Sequence, residues 1–122
     1  MKITELTPTL WTEDLEGTID FYTGVLGFTC PARSDELGWA TLSVDDVAIM
    51  ISAPNAHEKY EKIGFTGSFY YGTDDVETMW ANIKDKAKIC YDIETYPWGM
   101  REFAIYDNNG YIVQFGQEIE DK

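Results

Sequence analysis

The chain reads as an α+β fold built from two tandem β-α-β-β-β modules, and three features of the sequence predict it. Two β-prone runs, Arg101 to Tyr106 and Tyr111 to Phe115, flank Asp107-Asn108-Asn109-Gly110, whose Asn-Gly end tolerates the positive φ of a tight hairpin. Two other stretches carry apolar residues at helical spacing just after an aspartate: Leu15, Ile19, Tyr22 and Leu26 in one, Val76, Met79, Trp80 and Ile83 in the other. The order of elements then repeats, with Asp14-Leu15-Glu16 matching Asp75-Val76-Glu77 and the turn Asp45-Asp46 falling near Asn108-Asn109.

Taken in order, Thr7 to Trp11 can extend, and Pro8, which cannot donate to a ladder, sends that strand to a sheet edge or a subunit interface. Thr12 or Asp14 caps the first helix, Phe21 and Val25 widen its apolar face, Gly24 weakens it, and Gly27 ends it as a C-terminal cap. Strand-like pieces follow at Phe28 to Ala32, Trp39 to Ser43 and Val47 to Ser52. Pro54, Asn55 and Gly64 mark a connection. The second module opens with a strand from Gly67 to Gly72, and Asp74 or Asp75 caps its helix. Lys84, Lys86 and Lys88 suit the C-terminal end of that helix dipole, and Ile89 to Glu94 is the strand before the hairpin. The expected division is one domain over 1–122: module one 1–56, a connection 57–65 and module two 66–122.

A chain of 122 residues can bury roughly two thirds of the surface it exposes when unfolded, enough for a real core. No apolar run approaches the ~18 residues of a membrane-spanning helix, and MKITELTPTL lacks the apolar core of a signal peptide, so a cytoplasmic protein is expected. Cys30 and Cys90 lack a CxxC spacing and read as free thiols. The net charge of −13 argues against nucleic-acid and anionic-membrane partners, which need a basic surface, and raises the local concentration of small cations. No phosphate-loop lysine and no Gly-x-Ser-x-Gly elbow occurs. The one histidine, His57, sits in the connection and leaves a Cys-His or Ser-His nucleophile pair without support.

The stretch EDLEGTIDFYTGVLGF, residues 13 to 28, together with REFAIYDNNGYIVQF ending at residue 115, resembles the vicinal oxygen chelate superfamily of glyoxalases, ring-cleaving dioxygenases, and fosfomycin- and bleomycin-resistance proteins. Pro8, the acidic balance and the Gly-x-Arg-Glu-Phe element at Gly99, Arg101, Glu102 and Phe103 are most similar to the bleomycin-resistance proteins. The resemblance implies the glyoxalase/bleomycin resistance fold, with curled sheets enclosing a cleft, and a homodimer whose chains share it. It also implies that the metal ligands of the enzymes would fall at Thr7 and Met50 in the first module and Ser68 and Gln114 in the second. These residue types do not suit a divalent transition metal, which takes His, Asp, Glu or Cys, and one histidine cannot make a two-His-one-carboxylate site.

Period-two alternation with Val47, Ile49 and Ile51 towards the helix turns Ala48, Met50 and Ser52 the other way. The same argument selects Trp39, Thr41 and Ser43, then Thr9, Trp11, Ser68 and Tyr70 on the outer strands, and Glu102, Ala104 and Tyr106 beside Gln114. Trp98, just before the hairpin, is placed as a lid or wall. Such an aromatic lining suits a flat or cationic organic molecule, with about 0.5 to 2 kcal/mol for each well-placed cation–π contact. The expected ligand-binding set is therefore Trp11, Trp39, Thr41, Met50, Ser68, Tyr70, Trp98, Glu102, Tyr106 and Gln114, with no catalytic residue, metal or cofactor. Two alternatives stay open: Glu102 paired with Arg33, Arg101 or a lysine, and the rings used as ordinary core, as assigned to Phe21, Tyr22, Trp80 and Phe103. The expected function is non-catalytic sequestration of a small aromatic or cationic compound. The rival expectation is a metal-dependent lyase, isomerase or dioxygenase of the same superfamily with displaced ligands.

Overall fold

The computed structural model describes residues 1–2, 4–54 and 68–119, and the expected connection 57–65, His57 and the first residue of the Gly67 strand lie outside them. The chain divides into two compact units, Met1–Glu61 and Lys62–Lys122. Among the described residues no helix is long and apolar enough to cross a membrane.

In the first unit β1 (Thr9–Trp11), α1 (Leu15–Gly24), β2 (Thr29–Ser34), β3 (Trp39–Val44) and β4 (Val47–Ser52) follow one another. The strands form one sheet in the order β1-β4-β3-β2, with β1 parallel to β4 and the other pairs antiparallel. Strand β1 starts later than the expected Thr7 because Pro8 offers only its carbonyl, which accepts from the Met50 N–H at 2.8 Å. Of the two expected caps, Asp14 holds the Gly17 N–H at 3.0 Å, while Thr12 Oγ1 accepts the N–H of Asp14 itself. At the far end Gly27 takes φ +77°, and the Phe28 N–H returns to the Tyr22 carbonyl at 2.9 Å, which closes the helix end. The face of the sheet under α1 is dry: Ile19, Tyr22, Leu42, Ile49 and Ile51 are all buried.

The second unit repeats the plan with β5 (Phe69–Gly72), α2 (Val76–Ile83), β6 (Lys88–Thr95), β7 (Met100–Tyr106) and β8 (Ile112–Glu118), in the sheet order β5-β8-β7-β6. Asp75, not Asp74, caps α2 through the Thr78 N–H at 3.1 Å, and Thr73 supports its N–H as Thr12 supports that of Asp14. Gln117 adds a tie from β8, accepting from the Val76 N–H at 3.0 Å and donating to the Asp74 carbonyl at 2.8 Å. Of the three lysines expected at the helix end, Lys84 is the C-cap, whereas Lys88 already opens β6. The buried face is aromatic: Trp80 lies against Phe103 at 5.1 Å, Phe103 against Phe115 at 5.4 Å, and Tyr71 stacks on Phe115 at 5.5 Å between centroids.

Both hairpin turns fall where expected. Asp45 takes φ 51° between the paired Val44 and Val47, and Gly110 takes φ 99° between β7 and β8. In the second turn the organising residue is Asp107, which is buried and accepts from the N–H groups of Asn109 and Tyr111, both at 2.9 Å.

Candidate functional site

Strands β7 and β8 pair with Phe103 opposite Phe115, Ile105 opposite Val113, and Ala104 opposite Gln114. The first two pairs face α2, so alternation sends Glu102, Ala104, Tyr106 and Gln114 to the other face, as the pattern of letters predicts. On that face Glu102 is the centre of a cluster. The residue is only 4% exposed. Oε1 accepts from the Tyr70 hydroxyl and from the Trp98 indole N–H, both at 3.2 Å, and Oε2 accepts from the Tyr91 hydroxyl. Gln114 Nε2 donates to the Tyr91 oxygen at 2.9 Å, and the Ser68 hydroxyl donates to Gln114 Oε1. With its oxygen receiving from Gln114, Tyr91 directs its own proton to Glu102. The chain Ser68, Gln114, Tyr91, Glu102 therefore has one direction.

Three backbone features make this possible. Gly116 lies opposite Glu102, and a Cβ there would collide with the Tyr70 ring, so the absence of a side chain lets that ring lie across β8 to the carboxylate. Strand β6 carries a bulge: Ile89 pairs with Ile105, but the next partner, Ala104, is met by Tyr91 instead of Cys90. The extra residue turns Tyr91 onto the Glu102 face. Finally, Gly99 at φ +86° ends the turn that carries Tyr96 and Trp98, whose rings stack at 4.6 Å and 13°. Tyr96 also stands edge-on to Tyr91 at 6.0 Å and 87°.

The electrostatics follow from burial beside a carboxylate. Burial raises the Tyr91 pKa, and its bond to Glu102 raises it further; burial and then the Glu102 charge do the same for Tyr70. Both phenols stay protonated as donors. Neither proposed cation reaches Glu102: Arg33 pairs with Glu16 and Asp35 at 2.6 Å, and Arg101 pairs with Glu77 and bonds Thr95. Among the described residues Glu102 has no ion-pair partner.

Of the residues selected from sequence, Ser68, Tyr70, Trp98, Glu102 and Gln114 come together in this cluster. Tyr106 shares the face but stands further along β7, with Lys88 Nζ 5.3 Å from its ring centre. In the first unit Thr9, Met50 and Thr41 form one row across β1, β4 and β3, and Trp11, Ser52 and Trp39 form the next, all on the face away from α1. Alternation alone missed Tyr91, because the bulge breaks its phase, and gave no hint of Gly116 or Tyr96.

Residues 3–115 match the Glyoxalase/Bleomycin resistance protein/Dioxygenase superfamily. The chain belongs to this superfamily. No curated protein matches the chain. Among solved structures it is similar to a protein of unknown function from Agrobacterium tumefaciens str. C58, at 16% identity and TM-score 0.80 over 98% of this chain and 97% of that one. It is also similar to TioX from Micromonospora sp. ML1, at 19% identity and TM-score 0.76 over 95% and 99% of the two chains. A third similar structure is lactoylglutathione lyase from Agrobacterium tumefaciens, at 15% identity and TM-score 0.70 over 93% and 92%. At these identities the likeness is one of fold.

The superfamily plan repeats at the level of register. Met50 pairs with Thr9 and Gln114 with Tyr70, so Thr7 and Ser68 stand in the same relation to their last strands. For a divalent transition metal these four residues do not fit. Hydroxyl, thioether and amide groups supply none of the charged or imidazole donors such an ion takes, and Ser68 and Gln114 bond each other. What the superfamily member presents at this place is an aromatic-rimmed carboxylate.

Proposed function

We propose that this superfamily member binds a small aromatic or cationic organic compound on the Glu102 face of its second unit and sequesters it without transforming it, in the manner of the bleomycin-resistance proteins it resembles. The observation that carries this reading is the environment of Glu102. A buried charge costs several kcal/mol unless it is compensated. Here two phenols and an indole supply hydrogen bonds, but no cation among the described residues supplies opposite charge. Every donor suits an ionised, acceptor-only carboxylate. A ligand cation over the surrounding rings supplies the missing charge, and the net charge of −13 favours its approach.

The test is titration with bleomycin, with an acridinium dye as a planar aromatic cation and with an uncharged arene, followed by tryptophan fluorescence. Saturable quenching is expected from at least one compound, reduced in Trp98→Phe, at a Kd of tens of micromolar or below, about 6 kcal/mol of affinity or more. No quenching by any of them at 100 µM would falsify the reading. The protein is further proposed to act as a homodimer through the first unit, where β1 is a three-residue edge strand. Light scattering decides that point: a mass near 13.9 kDa at micromolar concentration would overturn it.

A further inference from the structure

We infer that the charged group taken by the Glu102 face is a methylated ammonium, tertiary or quaternary, in preference to a primary amine. This rests on the reading of that face as a cation site and adds which cation it takes. The reason lies in the acceptors. A carboxylate oxygen has two lone pairs, and Oε1 of Glu102 already receives Tyr70 and Trp98 while Oε2 receives Tyr91. The neighbouring acceptors are engaged as well, since the Tyr91 oxygen takes the Gln114 N–H and Gln114 Oε1 takes the Ser68 hydroxyl.

A primary ammonium carries three N–H donors and a tight hydration shell, and it needs acceptors in place of the water it leaves. Among the described residues the cluster offers only lone pairs beside bonds already made, and the carboxylate opposite Glu102 on β6, Glu94, is exposed to water. What the cluster does give is ring surface: Trp98 is 65% exposed and Tyr70 44% exposed. Tyr96 backs Trp98 in a parallel stack and meets Tyr91 at a right angle, which makes a corner of aromatic walls. The rings of Tyr70, Tyr91 and Trp98 all donate their polar hydrogen to the same carboxylate. Donation of that kind leaves a ring richer in electrons. An ammonium clothed in methyl groups has few or no donors to satisfy, spreads its charge over the methyls and packs them on ring faces. The carboxylate then acts through the rings, as fixed negative charge behind an aromatic wall, and need not touch the ligand.

The experiment uses three probes of matched shape: choline, ethanolamine as its primary-amine counterpart, and 3,3-dimethylbutan-1-ol as its uncharged counterpart. Each is titrated to 50 mM against the full chain, following the indole N–H resonance of Trp98, assigned with Trp98→Phe. Choline is expected to bind at least fivefold more tightly than either of the others. Glu102→Gln, which keeps size and shape, is expected to weaken choline about tenfold and the neutral alcohol less than twofold. Because Trp98 is exposed, Trp98→Ala is a second variant that keeps the fold, and it should weaken choline similarly by the remaining resonances. Ethanolamine binding as tightly as choline, the alcohol binding equally well, or no shift with any probe would each overturn the inference. In those cases the dye titration above still decides the sequestration reading by itself.

Discussion

Tyr70 occupies the space that a side chain at residue 116 would fill: its phenol lies over Gly116 and ends on the Glu102 carboxylate. The glycine is buried in the middle of a strand, where it would otherwise weaken the ladder, and close approach of the ring accounts for it.

Gly116→Ala is therefore expected to expel the Tyr70 ring from the carboxylate while leaving the strand paired. Tyr70 is 44% exposed and can rotate away, so the stability change should not exceed about 1.5–3 kcal/mol, the value of one hydrogen bond to a charged group. Ligand affinity should fall about as far as in Tyr70→Ala. Urea denaturation and the dye titration check the two halves, and wild-type affinity in Gly116→Ala would remove Tyr70 from the site.

The tyrosines set an alkaline limit to stability. Burial, and secondarily the charge of Asp107, pushes the Tyr71 pKa from 10.0 up to about 12, and Tyr91 and Tyr70 are raised as well. The folded state thus holds these protons more tightly than the unfolded chain. Their contribution is whole below about pH 10 and is lost as pH climbs through the raised values, at up to about 1.4 kcal/mol per pH unit for Tyr71 and less for the more exposed Tyr70 and Tyr91. The urea midpoint should be flat from about pH 7 to 9.5 and then fall steeply, less so in Tyr71→Phe and Tyr91→Phe. A midpoint unchanged through about pH 11.5 contradicts this account.

Asp107 should matter to stability more than its place in a surface turn suggests. It is 6% exposed and holds two backbone N–H groups that have to be satisfied for β7 and β8 to close. Asp107→Ala is expected to cost about 1–3 kcal/mol in urea denaturation, and Asp107→Asn, which keeps an acceptor oxygen, clearly less. Equal losses would mean that the charge, not the acceptor, is what counts.

Because Thr7, Met50, Ser68 and Gln114 do not suit a divalent transition metal, dialysis against a chelator should change neither the melting temperature nor the dye affinity. A bound stoichiometric transition metal, or a fall of several degrees on chelation, would return the metal-dependent reading to favour.

Much of the fold was legible because it is written twice. The Asp caps before each helix, the Asp45-Asp46 and Asn109-Gly110 turns and the alternating strands are local signals, and each repeats in the second half. Four of the site residues, Ser68, Tyr70, Glu102 and Gln114, followed from the same alternation, and Trp98 from its place just before the hairpin. The partners of Glu102 were less legible. Hydrogen bonds between Tyr70, on β5, and Glu102, on β7, span a strand that separates them in the sheet, and no local pattern encodes them. Tyr96 stands in a turn, where period two does not apply, and the buried role of Asp107 was hidden behind the more familiar Asn-Gly signal.

The bulge at Cys90 gives this site a kind of punctuation. Ile89 and its partner Ile105 keep the phase of the sheet, and one residue later the phase has changed, so that Tyr91 stands where Cys90 would have been. Regular pairing at that point, with the bulge ironed out, would set Cys90 opposite Ala104 and turn Tyr91 towards the helix, exchanging a phenol for a thiol on the Glu102 face without changing a letter. The chemistry presented to a ligand is thus encoded partly as the register of a strand. A shift of register in β6 is therefore, like a substitution, a way for this chain to lose one wall of its aromatic corner.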